Sequence, residues 1–521
     1  MRKQIIYPVV AITIVLVISF GFRSDKKMKT TVKIETGIVK GTENESGEIN
    51  IFKGIPFAAP PLGELRWKAP QPVQPWKDTL NCTAYSPSPM QVSPEPFRCW
   101  SEEFLIPKEP ISEDCLYLNI WTGAEKIEEK RPVLVYIYGG AFKHGGSACP
   151  IYDGEAMAEK GVVFVTFNYR LGIFGFFAHP ELSEEAEYNS SGNYALLDMI
   201  EALRWIQKNI SVFGGDPNNV TIAGQSAGAV AVNYLTSSQL AKGLFHKAIA
   251  ESGATFYSNS AWEKSSKLES AEKRGLELTK SINCNTISDL RTKSAEELLE
   301  FNNDFSSPIV DGYLVTSTNL ENYKSGKQHD VPLLIGWNKD DLEGGFISKS
   351  DFQTNINNRF GKLSGEFLAE YPAISDDEAT KSLAFMIRDE YFGFQTYTWA
   401  KLHTQTGNAN VFVYNFNRGL PVYSSETAFG AFHSGEIVYA YNNLHKLNRP
   451  WTEIDQQLAD QMSDYWVNFA STGNPNGGNL PRWEGFNLKD EKVILFDEVV
   501  ESKNLPTKSK MLLWKKYYSS Q

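Results

Sequence analysis

Val220-Thr221-Ile222-Ala223-Gly224-Gln225-Ser226-Ala227-Gly228-Ala229-Val230 is the stretch whose reading decides the fold. β-Branched Val220, Thr221 and Ile222 suit a buried strand, and the small residues from Ala227 to Ala231 let the following helix pack closely against it. Between the two lies Gly-x-Ser-x-Gly, residues 224–228. A serine aimed out of the top of a sheet must take a strained backbone conformation, and side chains two positions to either side would collide with neighbouring elements. Glycine at 224 and 228 removes them. The Ser226 hydroxyl is then expected to stand exposed as a nucleophile, with the Ala227 N–H beside it as an oxyanion donor. Chance alone produces this pentapeptide roughly 0.1 to 0.2 times in a chain of this size. The strand before it and the helix after it are what give it weight.

Outward from this stretch, residues 133–138 are a continuous apolar run of the kind found in a strand buried on both faces, 162–167 and 331–336 read as further buried strands, and 245–250 and 411–416 as two more strands. Residues 193–210 place Leu196, Leu197, Ile200, Leu203 and Ile206 at helical spacing. Residues 453–470 read as the last helix, stopped by Gly473-Asn474-Pro475-Asn476. Strands alternating with helices predict an α/β fold with a large, mainly parallel sheet. Residues 31–58, short alternating strands broken by glycine, predict an antiparallel hairpin at its edge. The strand at 133–138 runs into Tyr138-Gly139-Gly140-Ala141-Phe142, where bare N–H groups can approach a substrate oxygen as the second half of an oxyanion hole. A phosphate cradle would need the Lys-Ser/Thr ending of a P-loop or a full Gly-x-Gly-x-x-Gly, and the loop has neither. Residues 260–305 are charged and helical, without a catalytic pattern.

The 521 residues carry a net charge of -11, which argues against nucleic acid as a partner. Arg2 and Lys3 precede an uncharged, largely apolar run over residues 5–22, and Arg23, Asp25, Lys26, Lys27 and Lys29 follow it. Residues 1–22 therefore read as an export signal, with a retained membrane anchor as the alternative because the run is long for a signal core. Ser19 and Gly21 are candidate small residues before a cleavage point. Residues 23–30 form a linker and 31–521 one catalytic domain. Five cysteines stand at 82, 99, 115, 149 and 284, and one disulfide is expected among Cys82, Cys99 and Cys115. No spacing suggests a metal site.

Several separated motifs then coincide: Phe52-Lys53-Gly54-Ile55-Pro56-Phe57-Ala58, Ser112-Glu113-Asp114-Cys115-Leu116-Tyr117-Leu118-Asn119, Asn168-Tyr169-Arg170-Leu171-Gly172, and Phe213-Gly214-Gly215-Asp216-Pro217 leading into Gly-x-Ser-x-Gly. From about residue 31 to the end the chain resembles the type-B carboxylesterases of the α/β-hydrolase superfamily. The resemblance implies a serine esterase acting on a small-molecule ester without a cofactor. It matches Ser226 to the nucleophile and His433, in Gly430-Ala431-Phe432-His433-Ser434-Gly435-Glu436, to the base; Gly140, Ala141 and Ala227 match the oxyanion donors. Of the other histidines only His144, just past the oxyanion loop, invites attention. Specialised esterases on acetylated sugars or aromatic-acid esters are the alternative, and a non-catalytic binding protein on the same fold is the rival of another class. Retention of Ser226, His433 and all three donors argues against that rival.

Four departures from the family pattern matter. Gln225 replaces the usual glutamate before the nucleophile, which removes a negative charge and disfavours cationic esters. Ala141 replaces a glycine. Pro89 or Met90 occupies the place of the cysteine that usually pairs with the one matching Cys115. The acid loop, Asn338-Lys339-Asp340-Asp341-Leu342-Glu343-Gly344, lacks the usual spacing: ungapped alignment puts the acid at Asp341, whereas alignment on Glu-Gly puts it at Glu343 and needs a two-residue insertion. Asp341 is preferred, because the loop must hold its carboxylate within reach of the His433 ring. Asp340 reads as a solvated loop residue.

Overall fold

The computed structural model describes residues 1, 29–257, 267–342, 344–424 and 428–521. Residues 2–22 of the segment read as an export signal, and Glu343, lie outside them. Among the described residues no helix is long and apolar enough to cross a membrane.

Eleven strands form the large sheet: β1 (Thr42–Glu43), β2 (Asn50–Pro56), β3 (Tyr117–Thr122), β4 (Arg131–Ile137), β5 (Val163–Phe167), β6 (Gly215–Gln225), β7 (Lys247–Glu251), β8 (Leu333–Asn338), β9 (Val411–Phe416), β10 (Lys492–Phe496) and β11 (Glu501–Asn504). Their spatial order is β11-β10-β9-β8-β7-β6-β4-β5-β3-β2-β1. The strands from β5 to β10 are parallel, while β3, β2 and β1 at one edge and β11 at the other run antiparallel. Every residue of β5, β7 and β8 is buried. Their middles are largely apolar, because helices cover the faces of the sheet, while the buried polar residues Lys247 and Glu251 stand at the two ends of β7.

The helix predicted over 193–210 is α1 (Tyr194–Asn209), and the helix after the serine is α2 (Ala227–Leu235). The helix predicted over 453–470 is α3 (Glu453–Thr472), which Thr452 and Asp455 cap reciprocally and Gly473 ends at φ +77°. Both α2 and α3 pack on β4 and β6.

Three expectations need correction. The hairpin of residues 31–40 belongs to a separate three-stranded sheet with Thr79–Asn81, and only β1 and β2 reach the edge of the large sheet. The helix at 453 is not the last, since β10, β11 and a helix over Lys508–Tyr518 follow it. The expected disulfide is absent: Cys82, Cys99 and Cys115 are buried, and none of them is joined to another. Cys115 shares a small cavity with Met90, which stands where a thiol partner would be needed.

Because the chain passes from β4 to β5 and later returns β6 to the far side of β4, β4 and β6 become parallel neighbours. Gly224 pairs with Ile137. The loop after β4 and the turn after β6 therefore leave the same carboxyl edge of the sheet side by side, the usual location of a site in an open α/β sheet.

Candidate active site

Ser226 sits at the junction of β6 and α2 with φ 57° and ψ -123°, the strained turn anticipated for it. Hard contacts explain both flanking glycines. A Cβ at Gly224 would lie 2.5 Å from the Gly228 backbone, and one at Gly228 would lie 2.0 Å from the Ile137 carbonyl. A third glycine that sequence reasoning passed over, Gly253, lets the loop after β7 approach the Ser226 carbonyl, where a Cβ would stand at 2.3 Å. Ser226 is only 9% exposed, not open as expected, because the loops after β4 and β7 crowd around it. Its backbone N–H donates to the Glu251 carbonyl at 2.8 Å.

The loop after β4 turns through three consecutive residues of positive φ, Gly140 at 111°, Ala141 at 55° and Phe142 at 57°. Only glycine fits at 140, where a Cβ would meet the His144 carbonyl at 2.1 Å. Alanine at 141 is tolerated at a cost on the order of 1–2 kcal/mol, which the surrounding packing must hold in place. The Gly140 carbonyl accepts from the N–H groups of Lys143 and His144, both at 3.0 Å, which closes the loop on itself. Among the described residues no acceptor takes the N–H groups of Gly140, Ala141 or Ala227. The His144 side chain is exposed.

Two braces hold this loop. The motif at 168–172 supplies the first: Tyr169 stacks on Tyr138 with centroids 4.4 Å apart, the Gly172 N–H donates to the Phe142 carbonyl at 2.7 Å, and Arg170 is pinned by a buried two-pronged pair with Asp198 at 2.8 and 2.7 Å. Gln91 supplies the second and carried no recognisable signal in the sequence. Its carbonyl accepts from the Gly145 N–H at 2.8 Å and its amide donates to the Gly145 carbonyl at 2.7 Å.

His433 Nδ1 lies 2.7 Å from Asp341 Oδ1. The second carboxylate oxygen accepts from Ser252 Oγ at 2.8 Å and from the Asn338 N–H at 2.7 Å, and Asp341 is fully buried. A carboxylate so held requires the proton on Nδ1, which leaves the Nε2 lone pair free to accept. Nε2 faces the nucleophile turn at 3.3 Å from the amide nitrogen of Gln225, the residue before Ser226. The ungapped alignment on Asp341 thus brings a carboxylate to the ring without an inserted loop. Asp340 is not the solvated residue expected of it. Its carboxylate accepts from the Ala431 N–H at 2.9 Å and its N–H donates to the Ala431 carbonyl at 3.1 Å, so it fastens the acid loop to the histidine loop. Gly430 makes room, because a Cβ there would meet the Asp340 carboxylate at 2.3 Å.

Behind Asp341 lie two further carboxyl groups, Glu251 and Glu436, both fully buried. Burial pushes Glu251 up to about 8, against donors from Trp466 Nε1 at 2.7 Å and Tyr441 OH at 3.1 Å. Burial first, then the charges of Asp341 and Glu251, raise Glu436 well above the carboxylate range, although the Asn338 amide donates to it. Both acids are therefore held toward their neutral forms.

The His433 ring is enclosed by two aromatic residues that sequence reasoning did not single out. Phe392 stacks on its face at 4.8 Å and 23°, carried by a π-helical turn over Asp389–Gly393 that Asp389 anchors through Arg388 and Tyr371. Trp100 meets it edge-on at 6.1 Å and 85°. The only signal either left in the sequence was an aromatic side chain in an otherwise ordinary segment.

A model of the carboxylesterase family matches residues 28–514. The chain is 34% identical over 497 residues to a fumonisin B1 esterase of Sphingopyxis macrogoltabida, spanning 90% of this chain and 87% of that protein. It is 33% identical over 499 residues to the para-nitrobenzyl esterase of Bacillus subtilis, spanning 92% and 97%, and 34% identical over 499 residues to liver carboxylesterase 1 of Oryctolagus cuniculus, spanning 85% and 84%. A solved structure of a PNB esterase superposes with a TM-score of 0.80 at 30% identity, covering 93% of this chain and 99% of the other.

Proposed function

The chain belongs to the carboxylesterase family, and from that membership we propose that it cleaves small carboxylic esters through an acyl-enzyme on Ser226, outside the cytoplasm. His433 Nε2 takes the Ser226 Oγ proton as Oγ attacks the ester carbonyl carbon, and the N–H groups of Gly140, Ala141 and Ala227 receive the negative charge that develops on the carbonyl oxygen. As the tetrahedral adduct collapses, the alcohol oxygen leaves with the proton from His433. Water then adds to the acyl carbon by the same proton path and frees Ser226. Asp341 orients the imidazole and stabilises it while charged. The observation that carries this reading is the 2.7 Å contact between Asp341 and His433 Nδ1, with the opposite ring nitrogen facing the turn that bears Ser226.

Hydrolysis of 4-nitrophenyl butyrate by the wild type, with a fluorophosphonate adduct mapped by mass spectrometry, tests the assignment. Ser226→Ala is expected to lose the adduct and at least about 10³-fold in kcat. Full turnover by that variant refutes the mechanism. A panel of nitrophenyl esters set beside acetylated sugars and feruloyl esters separates a general esterase from a specialised one. The basic, apolar, then basic order of residues 2–29 supports export. Fractionation of the native host with N-terminal sequencing tests it, and an intact Met1 in the soluble cytosol is the contrary outcome.

A further inference from the structure

Resting on the hydrolytic reading above, we propose that the turn Phe97-Arg98-Cys99-Trp100 is the recognition subsite for the leaving alcohol, and that it favours aryl alcohols bearing a carboxylate. Phe97 and Trp100 bond to each other through both backbone N–H groups, each at 3.0 Å, with Arg98 at φ 51° between them. The turn brings the two rings parallel, 6.3 Å apart and 6° from coplanar in orientation. Trp100 is tied to the histidine loop, because its Nε1–H donates to Ser434 Oγ at 3.3 Å while its ring meets His433 edge-on. At the other end the Arg98 guanidinium stands 5.2 Å over the Phe97 ring. Imidazole, indole, phenyl and guanidinium thus form one continuous ladder from the buried base to solvent.

Direction follows from the chemistry. His433 gives its proton to the departing oxygen, so the alcohol half of the ester must emerge beside the imidazole. Phe392 closes one face of that ring and is itself buried, whereas Trp100 leads outward to Phe97, which is 60% exposed. A large apolar ring left in water and stacked on an indole makes a platform for another ring. Charge sets the substituent. No carboxylate of the described residues pairs with Arg98, while neighbouring Glu95 is taken by Lys108 and Glu103 by Arg449. Gln225 contributes no charge beside the nucleophile, and Asp341 is engaged by His433. An unpaired guanidinium at the rim of a chain with net charge -11 attracts a carboxylate and can grip it with two parallel hydrogen bonds.

The test compares two acetate esters that differ in one group, those of 4-hydroxyphenylacetic acid and of 4-hydroxyphenylacetamide, on the full-length enzyme. The ratio of their kcat/KM values cancels any loss common to both. The wild type is expected to favour the anionic ester by about 3- to 5-fold at low ionic strength, with the preference collapsing in concentrated salt. Arg98→Gln is expected to bring the ratio near one, and Arg98→Glu to invert it. Trp100→Leu is expected to lower aryl acetates relative to ethyl acetate. A wild-type ratio near one, or a ratio that the Arg98 variants leave at its wild-type value, overturns the proposal. Hydrolysis of 4-nitrophenyl butyrate without turnover of either acetate overturns the subsite alone, whereas failure on all three esters refutes the esterase reading, so the two failures are told apart.

Discussion

Replacing Glu251 by glutamine removes a proton-binding group that the fold holds far from its ordinary range. In the native protein burial lifts this carboxyl from 4.5 to about 8. In the unfolded chain it returns to the ordinary value. Between the two the native state binds the additional proton, so stability must fall as pH rises through this window: the full contribution is present below about 4.5 and is lost by about 8. Each pH unit inside the window is worth up to about 1.4 kcal/mol, which gives a few kcal/mol between pH 5 and pH 8. Glutamine keeps a carbonyl oxygen to accept from Trp466 and Tyr441, and it has no proton to lose. Urea unfolding of wild type and Glu251→Gln across that range is expected to give near-equal stability at pH 5 and a variant more stable by about 2 kcal/mol or more at pH 8. Parallel stability curves for the two proteins would refute the protonated native carboxyl.

The two adjacent aspartates separate function from fastening: Asp341→Asn is expected to lower kcat by about 10³ to 10⁴ with little change in KM, whereas Asp340→Asn is expected to cost about 1 kcal/mol of stability and far less activity. Steady-state kinetics with urea melts distinguish them, and a large kcat loss confined to Asp340→Asn would show that the loop is anchored differently. Gly228→Ala forces a methyl to 2.0 Å from the Ile137 carbonyl, so it should displace the nucleophile turn and abolish labelling by fluorophosphonate; wild-type labelling would contradict the packing. Phe392→Leu retains bulk but removes the ring face that stabilises the charged imidazole, and kcat is expected to drop about 3- to 10-fold at constant KM. A change confined to KM would instead make Phe392 a substrate contact.

What the sequence by itself determined is local or periodic. The elbow at 224–228 was legible because part of its steric exclusion is local, a Cβ at Gly224 meeting the Gly228 backbone, whereas the contact that fixes glycine at 228 comes from Ile137 on the neighbouring strand. The central strands were legible because a strand buried on both faces is mostly apolar, as the run over 133–137 shows, although β7 carries buried Lys247 and Glu251 at its ends. The edge strand β11 and the terminal helix over Lys508–Tyr518 left little trace, since partly exposed segments carry a weaker pattern, and β10, though largely buried between β9 and β11, is only five residues long. The role of Asp340 could not be read at all. Asp340 and Asp341 are chemically identical neighbours, and only the parallel bridge between Asp340 and Phe432 turns one toward the Ala431 backbone and leaves the other to the imidazole. The same holds for Trp100, whose indole bonds to a residue 334 positions away. Propensity and hard-sphere sterics are written into neighbouring residues, whereas the direction of a carboxylate or a ring across two loops is set by backbone paths that only the assembled sheet brings together.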